Sequence, residues 1–371
     1  MASAGGSSSL PAELLEDVSS RLSTDADRLH IRKVCAQWRA YTSPLSACRP
    51  WIIAGREPWQ PIGPIGEYSF WLPRGGREIC PAVPAGLPYC CGSPCGWLAL
   101  ADSARSPRRL ILWEPISKAE ILLPCLPAVA QVFLSGDPLA APGWTAVACQ
   151  KAAGSDMAQR LLFWRPGDAA WSPMLEGPIC MIDSAAFHQG RAYFIGSAWQ
   201  LHIFDLEASP PRLIRKTYLH PSAEKAVRSP GRKRLLFIRS LYVVPCDGEC
   251  LLVVTFGGRK PAPAEVYRAD WVANPVVEVR ERVRDLGEYS LFVGRRDTFA
   301  LSAKEFPAIR RNCVYYVEHD RYQHEWWATI FDLGTKGWEP IPYPAKHMEE
   351  ESSYWQAYSW FCPRNPLIKK Q

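Results

Sequence analysis

Along the first forty residues apolar positions recur at helical spacing. Leu10, Leu14, Val18 and Leu22 return every fourth residue, and Pro11 stands where a first turn accepts proline, so a short helix is predicted here. Ser23, Thr24 and Asp25 then offer capping oxygens to a second helix, on which Ile31, Val34, Cys35 and Trp38 fall at i, i+3, i+4 and i+7 of one face. Two such helices bury too little surface to enclose a core, so their apolar faces need a partner.

After residue 43 the pattern changes to short alternating strands separated by Gly, Pro, Asp and Ser. Five segments align as strand, turn, strand: Leu110–Pro124, Leu161–Met174, Leu201–Ile214, Glu265–Val279 and Thr329–Pro342. Their aromatic markers Trp113, Trp164, Phe204, Tyr267 and Phe331 lie roughly 40 to 64 residues apart, close to the length of a propeller blade. Within further strands, Gln189-Gly190 and Asp247-Gly248 read as tight hairpin turns in which glycine takes a positive φ without strain. Radial four-stranded units leave only short exposed edges, so a β-propeller of about six blades is expected. A β-sandwich or a seventh blade uses the same strands. The aromatic tail Trp355, Tyr358, Trp360 and Phe361 needs cover and is expected to pair with an early strand, closing the ring.

Composition supports a mostly β chain. In 371 residues, 16 Trp, 34 Pro and 25 Gly supply large anchors and many turns. No apolar run reaches membrane-spanning length and the lead MASAGGSSS lacks a signal pattern, so a soluble, unsecreted protein of the cytoplasm, the nucleus or both is expected, with no membrane partner. Thirteen cysteines, an odd and scattered set, suit a reducing compartment. The pairs Cys91/Cys95 and Cys246/Cys250 are too widely spaced for an ordinary zinc site, and no metal is expected. A net charge of +6 is mild; its densest source, Lys225 to Arg234, reads as a solvated loop or a nuclear import signal, and no nucleic-acid partner is expected.

Reactive constellations are missing. There is no GxSxG elbow, phosphate loop, HExxH or GxGxxG, so no catalytic residue and no cofactor are expected. His188 and His202 lie in hairpins and read as structural; His319 and His324 flank a charged turn. Asp205 and Asp332, each after Ile-Phe, occupy equivalent repeat positions, where a carboxylate accepts turn N–H groups. An enzyme or carbohydrate binder working in the central channel would need carboxylates or histidines converging there.

The residues Leu10-Pro11, Leu14-Leu15, Val18, Leu22, Asp27, Arg32, Val34-Cys35 and Trp38-Arg39 resemble an F-box. A second resemblance runs through GSPCGWLAL at Gly92, WEPISKAEILLP at Trp113, AAFHQGRAYFI, LYVVPCDGECLLVV, AEVYRADW and the segment from Leu286 to Asp320. These are similar, in order, to the carboxy-terminal domain of a large plant family of F-box proteins, likened to a degenerate kelch propeller. The paired glycines of a kelch blade are mostly missing, Gly257-Gly258 lies in another context, and Cys95 stands where that family has a small or basic residue.

The resemblance implies residues 1–9 as a flexible lead, 10–43 as the F-box, 44–65 as a linker merging into first strands, 66–363 as the propeller and 364–371 as a basic tail. It implies the substrate-recognition subunit of an SCF-type (Skp-cullin-F-box) ubiquitin ligase. Leu10, Pro11, Leu14, Leu15 and Val18, with Ile31, Val34 and Trp38, would form or support the surface for a Skp-type adaptor, and through it cullin. The propeller would bind the target protein. The alternative is a non-ligase interaction scaffold with a degenerate F-box.

Overall fold

The structure is a computed structural model describing residues 10–22, 31, 34–42, 50–56, 67–71, 78–79, 83–115, 117–140, 142–155, 158–219, 237–257, 263–273, 277–294, 296–306, 309–320, 325–341 and 355–362. The described residues begin with the helix α1 (Ala12–Arg21) and the helix α2 (Ala36–Tyr41), packed on one another, and Ile31 between them is also helical. The residues described after them are strands, turns and irregular segments, with short 3-10 helices at Pro94–Gly96 and Ser197–Trp199.

The strands follow in short antiparallel sets. The first comprises β1 (Trp51–Arg56), β2 (Glu67–Trp71) and β3 (Glu78–Ile79). The second is β4 (Tyr89–Cys90), β5 (Leu98–Ala101), β6 (Leu110–Trp113) and β7 (Glu120–Leu123). The third is β8 (Val129–Leu134), β9 (Ala146–Lys151), β10 (Ala158–Trp164), β11 (Ser172–Pro173) and β12 (Ile179–Cys180). Then come β13 (Ile182–His188), β14 (Arg191–Gly196), β15 (Gln200–Asp205) and β16 (Arg212–Tyr218). A further sheet holds β17 (Phe237–Cys246), β18 (Glu249–Gly257), β19 (Ala264–Asp270) and β20 (Glu278–Val283). The last run is β21 (Tyr289–Val293), β22 (Arg296–Ser302), β23 (Cys313–Asp320), β24 (Glu325–Asp332), β25 (Trp338–Ile341) and β26 (Trp355–Phe361).

Packing is radial, as the alternation predicts, because each sheet shows a different neighbour to each of its faces. In β1, Ile53 joins Trp51, Phe361, Leu98, Leu100 and Ile111 in one cluster, while Ile52 joins Trp360, Phe292, Tyr315 and Ile330 in another. The ring is closed by the last strand. β26 pairs antiparallel with β1, Ile52 opposite Trp360 and Trp51 opposite Phe361. The region expected as a linker merging into first strands contains β1 of the first sheet.

Counted as hydrogen-bonded sheets, the propeller has five blades, not about six. The reason is a pairing between β13 and β22, Ser184 with Arg296 and Ala185 with Asp297, in parallel. It joins β13–β16 and β21–β25 into one nine-stranded sheet in the order β16-β15-β14-β13-β22-β21-β23-β24-β25. Strand β22 also packs on β17 and β26, so it occupies the middle of the ring. The Thr298 hydroxyl lies 3.3 Å from the carbonyl of Ala185 and 2.6 Å from that of Val243, tying β22 to two inner strands at once. The Ser184 hydroxyl accepts the Val243 N–H at 3.2 Å.

The hairpin turns follow the glycine reading. Gln189 and Gly190 have φ of 47° and 71°, and Asp247 and Gly248 of 48° and 81°, the left-handed pair that a two-residue hairpin requires. In the turn after β15, Ser209–Pro210 is a cis bond.

Candidate functional site

The helices are built by local sequence. Pro11 is the N-cap of α1 and its carbonyl accepts the Leu15 N–H at 3.1 Å. Glu13 in the first turn and Arg21 in the last suit the helix dipole, and Arg21 bonds Asp17 one turn back at 2.8 Å. Neighbouring leucines then part company. Leu15 is 0% exposed, with Ser19, Ile31 and Thr42 also buried, whereas Leu14 is 51% exposed.

Leu10, Leu14 and Val18 thus leave an apolar stripe in water, and Pro11 is exposed beside them. Val34 is 60% exposed. Of the eight residues expected at an adaptor surface, Leu10, Pro11, Leu14, Val18 and Val34 face solvent. Leu15 and Ile31 are interior, and Trp38 is half-buried.

One helical expectation is corrected. Val34 and Cys35 are not on the second helix, which begins at Ala36. Cys35 is extended, with φ −162° and ψ 175°, and its sulfur accepts the Trp38 N–H at 3.4 Å as an N-cap. A Cys cap carries no pattern that an i, i+3, i+4 count detects. The capping triplet Ser23, Thr24 and Asp25 lies outside the described residues. Tyr41, one turn beyond Trp38, is exposed.

In the propeller the chemistry-bearing residues serve turns and cores. Asp205 accepts the Glu207 N–H at 3.0 Å, and Asp332 accepts those of Gly334 and Thr335 at 2.8 and 2.9 Å, as their repeat position predicts. His188 Nε2 sits 2.9 Å from the Gly248 carbonyl, linking two hairpin tips. Burial holds the Cys246 and Cys250 thiols protonated, pushed up to about 12, and they belong to different apolar clusters. Among the described residues no group of His, Cys, Asp and Glu could hold a metal ion. The turn holding His324 and the run from Lys225 to Arg234 lie outside the described residues.

The blade architecture has a match in a known family. The KIB1-4 beta-propeller model matches residues 68–336, well over half of the 371. The chain belongs to the KIB1-4 beta-propeller family. The matched span runs from β2 to β24 and leaves α1, α2, β1, β25 and β26 outside it. Among curated proteins, none matches this KIB1-4 propeller.

Solved structures are only distantly similar. TolB from Acinetobacter baumannii shares 10% identity over 85% of this chain and 67% of that one, at a TM-score of 0.44. A protein from Lactobacillus plantarum shares 9% over 84% and 98%, at 0.33. The GH43_1 enzyme from Xanthomonas citri, complexed with xylose, shares 8% over 88% and 98%, at 0.29. Among the described residues no helix is long and apolar enough to cross a membrane.

Proposed function

We propose that this KIB1-4 propeller is the substrate-recognition subunit of an SCF-type ubiquitin ligase, of the plant F-box kind with a degenerate kelch-like propeller. The helical unit docks on a Skp-type adaptor, and through it cullin. The propeller holds a target protein near a ubiquitin-charged enzyme carried elsewhere in the assembly, in the cytoplasm, the nucleus or both. The subunit breaks no bond and needs no cofactor; it acts by raising local concentration.

The observation that carries this reading is the exposed stripe of Leu10, Leu14 and Val18 on residues that resemble an F-box, beside a buried Leu15. A propeller supplies loops on two faces for target binding, and β22 fills its middle, which favours recognition by a face over chemistry in a channel.

The test is titration of the full chain with purified adaptor. Each apolar side chain fully buried is worth about 1.5–3 kcal/mol, so Leu14→Asp with Val18→Asp is expected to weaken binding by about a hundredfold or more. Unchanged binding in the double variant would sink the proposal. Adaptor capture without cullin would favour the scaffold reading.

A further inference from the structure

Several exposed arginines of the propeller sit against carboxylates. Arg268 lies between Glu249 and Glu281, Arg280 meets Asp270, Arg310 meets Glu339 and Arg311 meets Glu288. Four cations where the second and third sheets adjoin do not. Among the described residues Arg105, Arg108, Lys151 and Arg160 have no carboxylate partner, although Arg109 beside them is matched by Glu120 at 2.8 Å.

Main-chain bonds set these four in one row. The Ala128 N–H donates to the Arg105 carbonyl at 2.8 Å, and the Lys151 N–H donates to the Ala128 carbonyl at 3.0 Å. Lys151 in turn stands opposite Gln159 on β10, and Arg160 follows opposite Gln150. Arg108 joins through its own carbonyl, which accepts the Cys125 thiol at 2.9 Å. Arg105, Arg108 and Arg160 are exposed, and Lys151 is half-buried. Turn bonds hold the loop that carries the first two. Ser103 Oγ accepts the N–H groups of Arg105 and Ser106 at 3.4 and 3.3 Å, and Asp102 accepts those of Arg108 and Arg109 at 2.9 and 3.2 Å. With Arg109 and Glu120 cancelling, Asp102 is the carboxylate left to offset the four cations among the described residues, so positive charge stays in excess.

We propose that this row is a docking surface for an acidic, extended segment of a protein partner. It rests on the target-binding reading of the propeller, for which it names the target's chemistry. From the Arg105 loop through Ala128 and β9 to β10 there are three steps, about 14 Å at the usual spacing of adjacent strands, and an extended chain covers that distance in about four residues. Carboxylates at alternate positions of such a segment therefore meet the row together. Like charges held this close repel one another in the free protein, and bound carboxylates relieve that repulsion. Because turn bonds already fix the loop, binding has little of it left to order. A nucleic-acid strand fits less well, since its bases need exposed aromatic faces. Trp171, which joins the same two sheets, is half-buried with its indole N–H on the Pro124 carbonyl at 2.7 Å.

The experiment titrates the full chain, with no adaptor present, into three labelled probes followed by fluorescence anisotropy. They are a peptide of alternating Glu and Gly, its Gln counterpart, and a single-stranded DNA of similar length. Loss of adaptor docking thus leaves this result untouched, and loss of peptide binding leaves adaptor docking untouched. The Glu peptide is expected to bind at least about tenfold more tightly than the Gln peptide, and to weaken as salt rises from about 50 to about 300 mM. Arg105→Gln with Arg160→Gln is expected to weaken it about five- to tenfold. Lys304→Gln with Lys336→Gln removes the same charge from exposed sites elsewhere and is expected to change it by less than about twofold. Thermal unfolding midpoints unchanged in both double variants tie the difference to charge. Equal binding of the two peptides, equal losses in the two double variants, or tighter binding of the DNA overturns the proposal.

Discussion

Ile52 lies opposite Trp360 across the β1–β26 pairing, 308 positions apart in sequence. The indole is fully buried and meets Phe292 edge-on at 5.3 Å and Tyr315 at 6.0 Å between ring centroids. The ring is therefore fastened by one strand whose side chains form a core with β21 and β23. Trp360→Ala is expected to cost about 3–5 kcal/mol, the usual range for emptying a buried aromatic site. Trp338 on the edge strand β25 is 55% exposed, and its alanine variant is expected to stay within about 0.5 kcal/mol. Urea unfolding of the two variants checks the contrast; similar midpoints would mean that β26 does not close the ring.

Glycines differ in what they do, and Gly92 and Gly248 separate two causes. Gly248 has φ +81° with nothing within 4 Å of an added Cβ, so Gly248→Ala carries only the conformational penalty, about 1–2 kcal/mol. Gly92 has φ +142°, and an added Cβ would stand 2.6 Å from the Val132 carbonyl. That carbonyl belongs to β8, whose Val132 N–H already bonds Cys91 at 2.7 Å, so neither backbone can yield cheaply. Gly92→Ala is expected to cost several kcal/mol, about the sum of strain and overpacking. Equal losses in thermal unfolding would show that the approach of Gly92 to β8 is looser than the geometry states.

Legibility followed the range of the signal. Turns at Gln189-Gly190 and Asp247-Gly248, and the turn carboxylates Asp205 and Asp332, depend on neighbours within a few residues and could be read directly. Ring closure was legible because Trp360 and Phe361 are too apolar to leave uncovered. The parallel pairings were not. β21 beside β23, and β13 beside β22, match strands whose own alternation looks like that of any other, so nothing local says that Ser184 will find Arg296. That missing information is what turned about six blades into five. At the helices, spacing located the apolar stripe but placed Cys35 in a helix that it in fact caps.

Leu14 and Leu15 make the helical unit testable apart from any partner. Leu15→Ala empties a buried site and is expected to cost about 2–5 kcal/mol of local stability, whereas Leu14→Ala, at an exposed site, is expected to stay within about 0.5 kcal/mol. Amide hydrogen exchange across Ala12–Arg21 reads this directly. Faster exchange in both variants would mean that Leu14 is packed in solution, and the free stripe would be lost as a docking surface.

His202 offers a stability prediction with a defined pH window. It lies 1% exposed on β15, stacked near Phe204 at 6.5 Å, and among the described residues neither ring nitrogen has a hydrogen-bond partner. Burial, with the nearby charge of Lys216 adding to it, pushes its pKa from the ordinary 6.5 down to about 4. Lys216 is its cross-strand neighbour on β16. The folded state thus binds the proton less readily than the unfolded chain. Stability from this group is fully present above pH 6.5 and is lost as pH falls towards 4. At about 1.4 kcal/mol per pK unit the loss amounts to about 3 kcal/mol. His202→Phe keeps a ring in the same apolar site and removes the titration. Between about pH 7 and about pH 4.5 the natural chain should therefore lose about 2–3 kcal/mol more than the variant, read as unfolding midpoints in urea. Parallel pH profiles for the two proteins would show that His202 has a proton partner in solution, and that the blade interface around Phe204 admits water.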